Sequence, residues 1–246
     1  MPIAATLRLM PSRPWRPDTH QLHGLACGLF EPSGQPHHQQ DKQFTVWPVQ
    51  PDPADPHVGL ILRYAWLRDE PLPFALTAGA RLRLGSTWCT VTDADEHKAS
   101  YAELATSTPI SSATLAFWSP TYFSQNGADV FTPEPRLIVG SWRRRWNHAH
   151  PAGSALLVDD DLWQRLHRAL YLSAFTVQTD EMDSGHGHPQ TGFVGQVTLQ
   201  LRTGSPRELQ SVLATLVRFA SFASTGAQTT HGFGATTSDL DGPWHG

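Results

Sequence analysis

The sequence predicts an α+β fold made of two similar units, and three observations lead to this expectation. The chain has 246 residues, of which 39% are hydrophobic and 16% charged, which is enough for one large or two small domains. Segments with alternating apolar residues, typical of strands, follow segments with a helical period. Twenty prolines and nineteen glycines keep these segments short. The order strand–helix–strand–strand–helix–strand occurs approximately twice, which predicts two tandem ferredoxin-like (RRM-like) domains, followed by a C-terminal glycine-rich loop.

The first half of the chain supplies the first of these units. Residues 3–9 alternate weakly and predict a strand. Asp18 is a good N-cap for a helix that carries Leu22, Leu25, Ala26 and Leu29 on one face. A polar loop over residues 32–42 follows this helix. The remaining predicted elements are strands at 44–49 and 57–67, a hairpin at 80–92 with Gly85-Ser86 as its turn, a short helix at 100–105 and a strand at 113–118.

A domain boundary is predicted near residue 125, because Asn126-Gly127 is a turn signal and two prolines follow it. The expected domains are therefore residues 1–125 and 126–246. The elements predicted beyond the boundary are helices at 136–147 and 159–170, strands at 171–178 and 192–202, and a helix at 206–223 with Ser205 as its cap and Pro206 in its first turn. The tryptophans expected in the core are Trp47, Trp66, Trp88, Trp118 and Trp163.

The bulk charge and the cysteines exclude some classes of protein. The formal net charge is −4, so no global basic field indicates nucleic-acid binding. Cys27 and Cys89 are far apart and lack metal-type spacing, which argues against a disulfide scaffold or a zinc ribbon. No signal-peptide pattern and no apolar run of about 18 residues is present, which predicts a cytoplasmic protein without a membrane partner.

The glycine-rich segment, residues 224–237, is the most informative stretch of the chain. Gly226, Gly232 and Gly234 permit positive φ angles and close approach of another backbone or a phosphate. With the neighbouring hydroxyl groups and His231, such a segment can present N–H groups to an anion. A long connection without a ligand is the alternative. The spacing does not match a P-loop, because no Gly-Lys-Ser/Thr follows.

Four segments together indicate a family. They are Lys-Gln-Phe-Thr-Val-Trp-Pro at 42–48, Phe-Trp-Ser-Pro-Thr-Tyr-Phe at 117–123, Pro-Glu-Pro-Arg-Leu-Ile-Val-Gly-Ser-Trp-Arg-Arg-Arg-Trp-Asn at 133–147, and residues 192–234, which run from Gly-Phe-Val-Gly-Gln-Val-Thr-Leu to the glycines. In this order and spacing they resemble the CRISPR repeat-processing endoribonucleases, the RAMP-type enzymes that cut precursor CRISPR RNA.

The resemblance implies two ferredoxin-like domains, CRISPR repeat RNA as the partner, and no cofactor or metal. Such enzymes bind a repeat stem-loop and cut at its 3′ base. A 2′-hydroxyl attacks the adjacent phosphate and leaves a 2′,3′-cyclic phosphate and a 5′-hydroxyl. The glycine-rich loop helps to hold the RNA and frames the active site. Many members stay bound to the product and join other subunits in an effector complex.

The resemblance also indicates catalytic candidates. The family's histidine often follows the first helix, where this chain has His37 and His38, with His38 nearer the next strand. Lys42 would neutralise the phosphate, and His23 on the first helix is the reserve for a second proton transfer. For the two loop histidines the alternative is an ordinary solvated loop, and for His23 an ordinary surface position.

The RNA-binding candidates are the arginines Arg143, Arg144 and Arg145, together with Gly226, His231, Gly232 and Gly234. Three consecutive helical residues cannot all face one partner, so one or two would grip phosphates, and a flanking tryptophan could stack on a base. The family's glycine loop often carries a cation where this chain has Ala227 and Gln228.

Two other functions remain open. One is a non-catalytic crRNA-binding subunit of an effector complex. The other is a metal-dependent hydrolase that uses the carboxylates and histidines of residues 180–188, although their spacing matches no defined metal motif and a hairpin loop is expected there.

Overall fold

The computed structural model describes residues 1–14, 16–31, 42–151, 156–183 and 189–241. The elements of the first half are β1 (Ile3–Pro11), α1 (Thr19–Phe30), β2 (Phe44–Val46), β3 (Gln50–Asp52), β4 (Asp55–Trp66), β5 (Arg81–Leu84), β6 (Thr87–Lys98) and α2 (Tyr101–Ala105). Asp18 caps α1 as predicted, within a capping box in which its carboxylate accepts from the Gln21 N–H.

The first sheet has the antiparallel order β2-β4-β1-β6-β5, and β3 also pairs with β4. The path β2-β4-β1-β6 is the strand order of a ferredoxin-like unit, with β1 in the centre. The second helix of that unit is missing, which differs from the expected element order. Residues 67–80 contain no helix, because Pro71 and Pro73 remove backbone donors and exclude helical geometry there. The short helix expected at 100–105 is α2, which follows the whole sheet.

The second half forms a four-stranded antiparallel sheet in the order β10-β11-β7-β12. Its elements are β7 (Ser112–Thr121), β8 (Phe123–Gln125), β9 (Ala128–Val130), α3 (Pro135–Ala149), α4 (Asp160–Ala169), β10 (Leu170–Asp183), β11 (Pro189–Leu201), α5 (Arg207–Ala223) and β12 (Thr236–Ser238). This is the complete ferredoxin-like strand order, with β7 as its first strand.

The chain changes from one sheet to the other earlier than the turn signals indicate. The strand predicted at 113–118 is β7, which pairs with β11 and β12 and therefore opens the second sheet. It does not close the first one. The change of sheet falls between Lys98 and Ser112, ahead of the boundary placed at residue 125, where Asn126-Gly127 instead makes the turn of the small β8–β9 hairpin.

The two halves share one of the two hydrophobic cores. Ile3, Ala5, Leu7 and Leu9 face α1 in the first core. On the opposite face of the same sheet, Ala4 and Ala65 join the core formed by α3, α5 and the second sheet. The Thr45 hydroxyl donates to Phe222 O at 2.7 Å, and the Val46 N–H donates to Thr229 O at 3.0 Å. These contacts place the glycine-rich segment beside β2. Within the described ranges, no helix is long and apolar enough to cross a membrane.

Several side chains lie elsewhere than the sequence predicts. Trp88 and Trp118, expected in the core, are 45% and 60% exposed, because each points away from the core on its strand. Trp142 and Trp146, considered for stacking on a base, are fully buried on the inner face of α3. Ser205 does not cap α5. Pro206 holds the cap position, and the Ser205 hydroxyl donates to the Arg202 carbonyl.

Candidate active site

His23 lies on α1 where this helix meets the glycine-rich segment. Its Nδ1 is 2.9 Å from Thr230 O, and since a carbonyl only accepts, Nδ1 carries the proton. Its Nε2 lies 3.3 Å from the sulfur of Cys27, one helical turn further on, and accepts from the thiol. Burial lowers the pKa of His23, and the positive charge of Lys42 lowers it further against the opposing effect of the Thr230 hydrogen bond. His23 is therefore neutral at pH 7, with both ring nitrogens engaged.

His231, from the glycine-rich segment, stacks on His23. The ring centroids are 3.7 Å apart and the planes differ by 13°. Two imidazolium ions at about 4 Å would repel each other by about 4 kcal/mol at an effective dielectric of 20. Positive charge on both rings at once is therefore unfavourable, and burial lowers the pKa of His23. Each half of the fold contributes one ring to this pair.

Lys42 closes the other side of this cluster. Its Nζ lies 2.6 Å from Glu31 Oε1 and donates to the Cys27 sulfur at 3.1 Å. The side chains of Lys42 and Glu31 are only 11% and 13% exposed. Burial acts to lower the pKa of Lys42, but the bonds to Glu31 and Cys27 outweigh it and raise the pKa overall. The ammonium is thus charged and already paired with a carboxylate.

His37 and His38 lie outside the described residues. The described chain ends at Glu31 and resumes at Lys42, and these two residues form the ion pair of the cluster. The two ends of the segment that contains both histidines are therefore fixed beside His23.

The glycines of the glycine-rich segment are required by close backbone packing. Gly226 has a φ of +82°, and a Cβ there would collide with Tyr122 O. Gly234 has a φ of +69°, and a Cβ there would collide with Thr225 O. Gly232, with a φ of +95°, lies against the backbone that follows β2. The close backbone packing of the segment thus requires glycine at Gly226 and Gly234, because a side chain there would collide with a carbonyl oxygen.

Arg145 also binds the glycine-rich segment. Its guanidinium donates to Gly226 O at 2.7 Å, to Thr229 Oγ1 at 3.1 Å and to Ser224 O at 3.4 Å. Since carbonyls accept only, the arginine is the donor that satisfies this part of the loop backbone.

The other two arginines of α3 differ from Arg145 and from each other. Arg143 donates to Asp160 at 2.6 Å and lies over the ring of Trp163 at 5.5 Å. Arg144 is exposed and forms no ion pair or hydrogen bond with any residue that the structure describes. Three consecutive residues of a helix point in different directions, so the three arginines do not act together. Arg143 and Arg145 bind other parts of the protein, and Arg144 faces solvent.

Arg144 lines a groove of about 350 Å³ between α3 and α4. Gly140 and Arg136 lie one and two turns before it on the same face of α3, and Trp163 and His167 line the α4 side. Trp163 packs against Gly140, where a Cβ would be 3.3 Å from the indole ring. The groove combines cations with an aromatic surface, which suits a nucleotide.

Sequence reasoning did not include Cys27 or Glu31 in the cluster, although Cys27 lies four residues after His23 and so on the same helix face. The carboxylate- and histidine-rich stretch at 180–188 is described only to Asp183. Among the residues that the structure describes, no group of three or more His, Cys, Asp or Glu side chains could hold a metal ion.

Two ferredoxin-like halves that meet at a histidine pair define a tandem ferredoxin-like protein, and comparisons with known proteins show which family it resembles. The model of CRISPR-associated endoribonuclease Cas6 matches residues 115–236. The Cas6 proteins of two Mycobacterium tuberculosis strains are 29% identical over 121 residues, which are 49% of this chain and 37% of each relative. The match thus spans little more than a third of these relatives.

Solved structures extend the similarity to nearly the whole chain. A Cas6 product complex has a TM-score of 0.82 and 27% identity, and covers 97% of this chain and 99% of its own. A second Cas6 product complex has a TM-score of 0.79 and 25% identity, with 97% and 100% covered. Thermus thermophilus Cas6 has a TM-score of 0.71 and 26% identity, with 97% and 98% covered. The chain is thus similar to Cas6 proteins over nearly its whole length.

Proposed function

We propose that this protein is a metal-independent endoribonuclease that binds the CRISPR repeat stem-loop and cleaves precursor CRISPR RNA. The observation that carries the proposal is the His23–His231 pair, which joins the two halves beside the ends of the segment with His37 and His38. The relatives support it. Two similar structures are Cas6 product complexes, and the Mycobacterium relatives are endoribonucleases by name.

The proposed reaction is attack of a 2′-hydroxyl on the adjacent phosphorus. A bond forms from O2′ to phosphorus as the bond from phosphorus to the 5′-oxygen breaks, and the products are a 2′,3′-cyclic phosphate and a 5′-hydroxyl. A base takes the proton of O2′, and an acid gives a proton to the leaving 5′-oxygen. Imidazole titrates near neutral pH and suits both transfers.

We assign the proton transfers to His37 or His38 and to His231. His231 stacks directly on His23, and its Nδ1 lies 3.2 Å from the Thr230 hydroxyl, whereas the two ring nitrogens of His23 bond to Thr230 O and Cys27 inside the cluster. His23 is therefore proposed as a positioning residue. Lys42, with its charge paired to Glu31, is proposed to hold the histidine segment in place.

The RNA-binding proposal rests on the α3–α4 groove. Arg144 is exposed and has no partner among the described residues, and Trp163 offers an aromatic surface near it. Gly226, Gly232 and Gly234 contribute shape and backbone, since Ala227 and Gln228 add no cation. Binding through few phosphates implies a moderate dependence of affinity on salt.

Incubation with cognate repeat RNA in excess EDTA tests the reaction. We expect a single cut, a product end that resists ligation until the cyclic phosphate is removed, and a 5′-hydroxyl that a kinase can label. A repeat RNA that is bound but stays intact would refute the enzymatic proposal, and cleavage abolished by EDTA would refute its metal independence.

Single variants test the assignments. His231→Gln and one of His37→Ala and His38→Ala should lower the single-turnover cleavage rate by about 100-fold or more, as expected for loss of a proton-transfer group. RNA affinity should stay within about twofold, since these neutral replacements remove no phosphate-binding arginine. The matched control is His57→Ala, an exposed histidine on β4. Normal cleavage by all three site variants would show that the assignments are wrong.

The alternative is a non-catalytic crRNA-binding subunit. Two observations favour it: the Lys42 charge is neutralised by Glu31, and Ala227 and Gln228 stand where the family often has a cation. Tight binding to the processed repeat without cleavage of the precursor would select this function.

A further inference from the structure

Arg63 lies on β4, on the face of the first sheet that packs against the second half. It is directly opposite Thr6 on β1, and its neighbour on the same face, Ala65, belongs to the shared core. Trp47 lies beside it, because the Trp47 N–H donates to Arg63 O at 2.9 Å and continues the β2–β4 pairing by one residue. The guanidinium lies over the Trp47 ring at 5.3 Å from its centroid.

The charge of Arg63 is not compensated within the described part of the chain. The guanidinium is half-buried, its Nε is buried without a hydrogen-bond partner, and it forms no ion pair with a described carboxylate. Burial lowers the pKa of this arginine. Arg63 pairs across the strands with Thr6, and Thr6 pairs in turn with Asp95. The Asp95 carboxylate is therefore on a strand two positions away in the sheet, at a distance of about 10 Å.

Arg8 on the same sheet face shows the usual arrangement. Its guanidinium is 2.5 Å from Asp52 and 3.8 Å from Asp93, so its charge is balanced. A half-buried cation without such a partner costs free energy. The cost at Arg63 would be offset if an anion from outside the chain completed the site.

We infer that Arg63 is a phosphate-binding residue for RNA, held on one face by Trp47 with its edge donors left to the ligand. The location agrees with this role. Val46, just before Trp47, bonds to Thr229, and Gly232 lies against the backbone of Pro48, just after it. A phosphate at Arg63 therefore lies beside the glycine-rich segment. This inference rests on the proposed RNA-processing function and adds a contact on the first half of the fold.

Arg63→Met tests it, with RNA affinity and thermal stability measured together. The variant should bind repeat RNA about tenfold more weakly at low salt, as for the loss of a charge-assisted hydrogen bond. The slope of log affinity against log salt should fall by about 0.7 to 0.9. The Tm should rise by about 2 to 4 °C, because an uncompensated buried charge is removed.

Arg8→Met is the matched control. It removes the same charge from the same sheet face, but it leaves Asp52 without its partner. RNA affinity should stay within about twofold of the wild type, and the Tm should fall. Arg63→Lys should recover part of the salt slope, since it restores charge without the planar fork.

The outcomes separate this inference from the proposed function. If wild type cleaves repeat RNA and Arg63→Met binds it equally well at every salt concentration, Arg63 is not a contact and the enzyme proposal stands. Weaker RNA binding together with a lower Tm would show a structural role and overturn the inference. If wild type does not bind the repeat, inorganic phosphate replaces it as the probe. A phosphate-induced Tm increase, at matched ionic strength, in wild type but not in Arg63→Met supports the anion site, and equal increases overturn it.

Discussion

Arg145 and Arg144 are sequence neighbours in different surroundings, since Arg145 bonds to the glycine-rich segment and Arg144 is exposed, and the same substitution at each tests their proposed roles. Arg145→Met removes the donor to Gly226 O at 2.7 Å, to Thr229 Oγ1 at 3.1 Å and to Ser224 O at 3.4 Å. The last distance lies beyond the usual range, so two good charge-assisted bonds are lost. At about 1.5 kcal/mol each, the free energy of unfolding should fall by about 3 kcal/mol.

The assay is thermal and urea unfolding of both variants beside an RNA-binding titration. For a chain of this size, about 3 kcal/mol corresponds to a decrease in Tm of about 6 to 12 °C for Arg145→Met. Arg144→Met should change stability by less than about 0.5 kcal/mol, because it is exposed and has no described partner. It should instead weaken RNA binding and reduce the salt slope. A stable Arg145→Met, or a destabilised Arg144→Met with normal RNA binding, would refute the reasoning.

Three further predictions concern the rest of the site. Gly234→Ala should lower the free energy of unfolding by more than Gly127→Ala, for which a loss of about 1 kcal/mol is expected. Both glycines have a positive φ, but only Gly234 lacks room for a Cβ. Equal losses in urea unfolding would contradict this prediction. Glu31→Gln and Lys42→Met should each lower the free energy of unfolding by about 3 kcal/mol, because each leaves a nearly buried charge unpaired. The double variant should lose less than the sum of the two single losses, and additive losses would exclude the coupling. The pKa of His23 lies below 6.5 in the folded state, so the unfolded chain binds more protons and stability falls as pH drops below 6.5. His23→Gln should reduce the slope of unfolding free energy against pH by at most about 1.4 kcal/mol per pH unit. The measurement is the unfolding free energy from pH 7.5 to 5.5. An unchanged slope would show that His23 does not titrate as described.

Local signals in the sequence were sufficient for most of the elements. Asp18 is followed three residues later by Gln21, and this capping box starts α1 where it was expected. Gly85-Ser86 makes the turn of the β5–β6 hairpin, and Gly85 has a φ of +56° that few other residues tolerate. These features depend on neighbours within a few residues, so a sequence pattern contains the necessary information.

Long-range pairing decided what the sequence could not show. The strand at 113–118 has the same alternation whichever sheet it joins, and only its ladder with β11 assigns it to the second unit. Trp118 is apolar, but the alternation of β7 places it on the uncovered face, opposite to Phe117 in the core. Arg143 and Arg145 look alike in sequence, but their hydrogen-bond partners lie 15 or more positions away along the chain.

The ion pairs bear on the proposal that a chain with a net charge of −4 binds RNA. Some carboxylates neutralise particular cations, as Asp52 does for Arg8 and Glu31 for Lys42. Each such pair is locally neutral, whereas cations without a described carboxylate partner keep their charge available to an anion. Arg144 on α3 is one of these, and Arg63 on the first sheet is another. Arg144 belongs to the second half of the fold and Arg63 to the first half. An RNA that binds both would therefore need the two halves in their observed arrangement. The His23–His231 stack, which also takes one ring from each half, would then be assembled by the same arrangement that binds the phosphates.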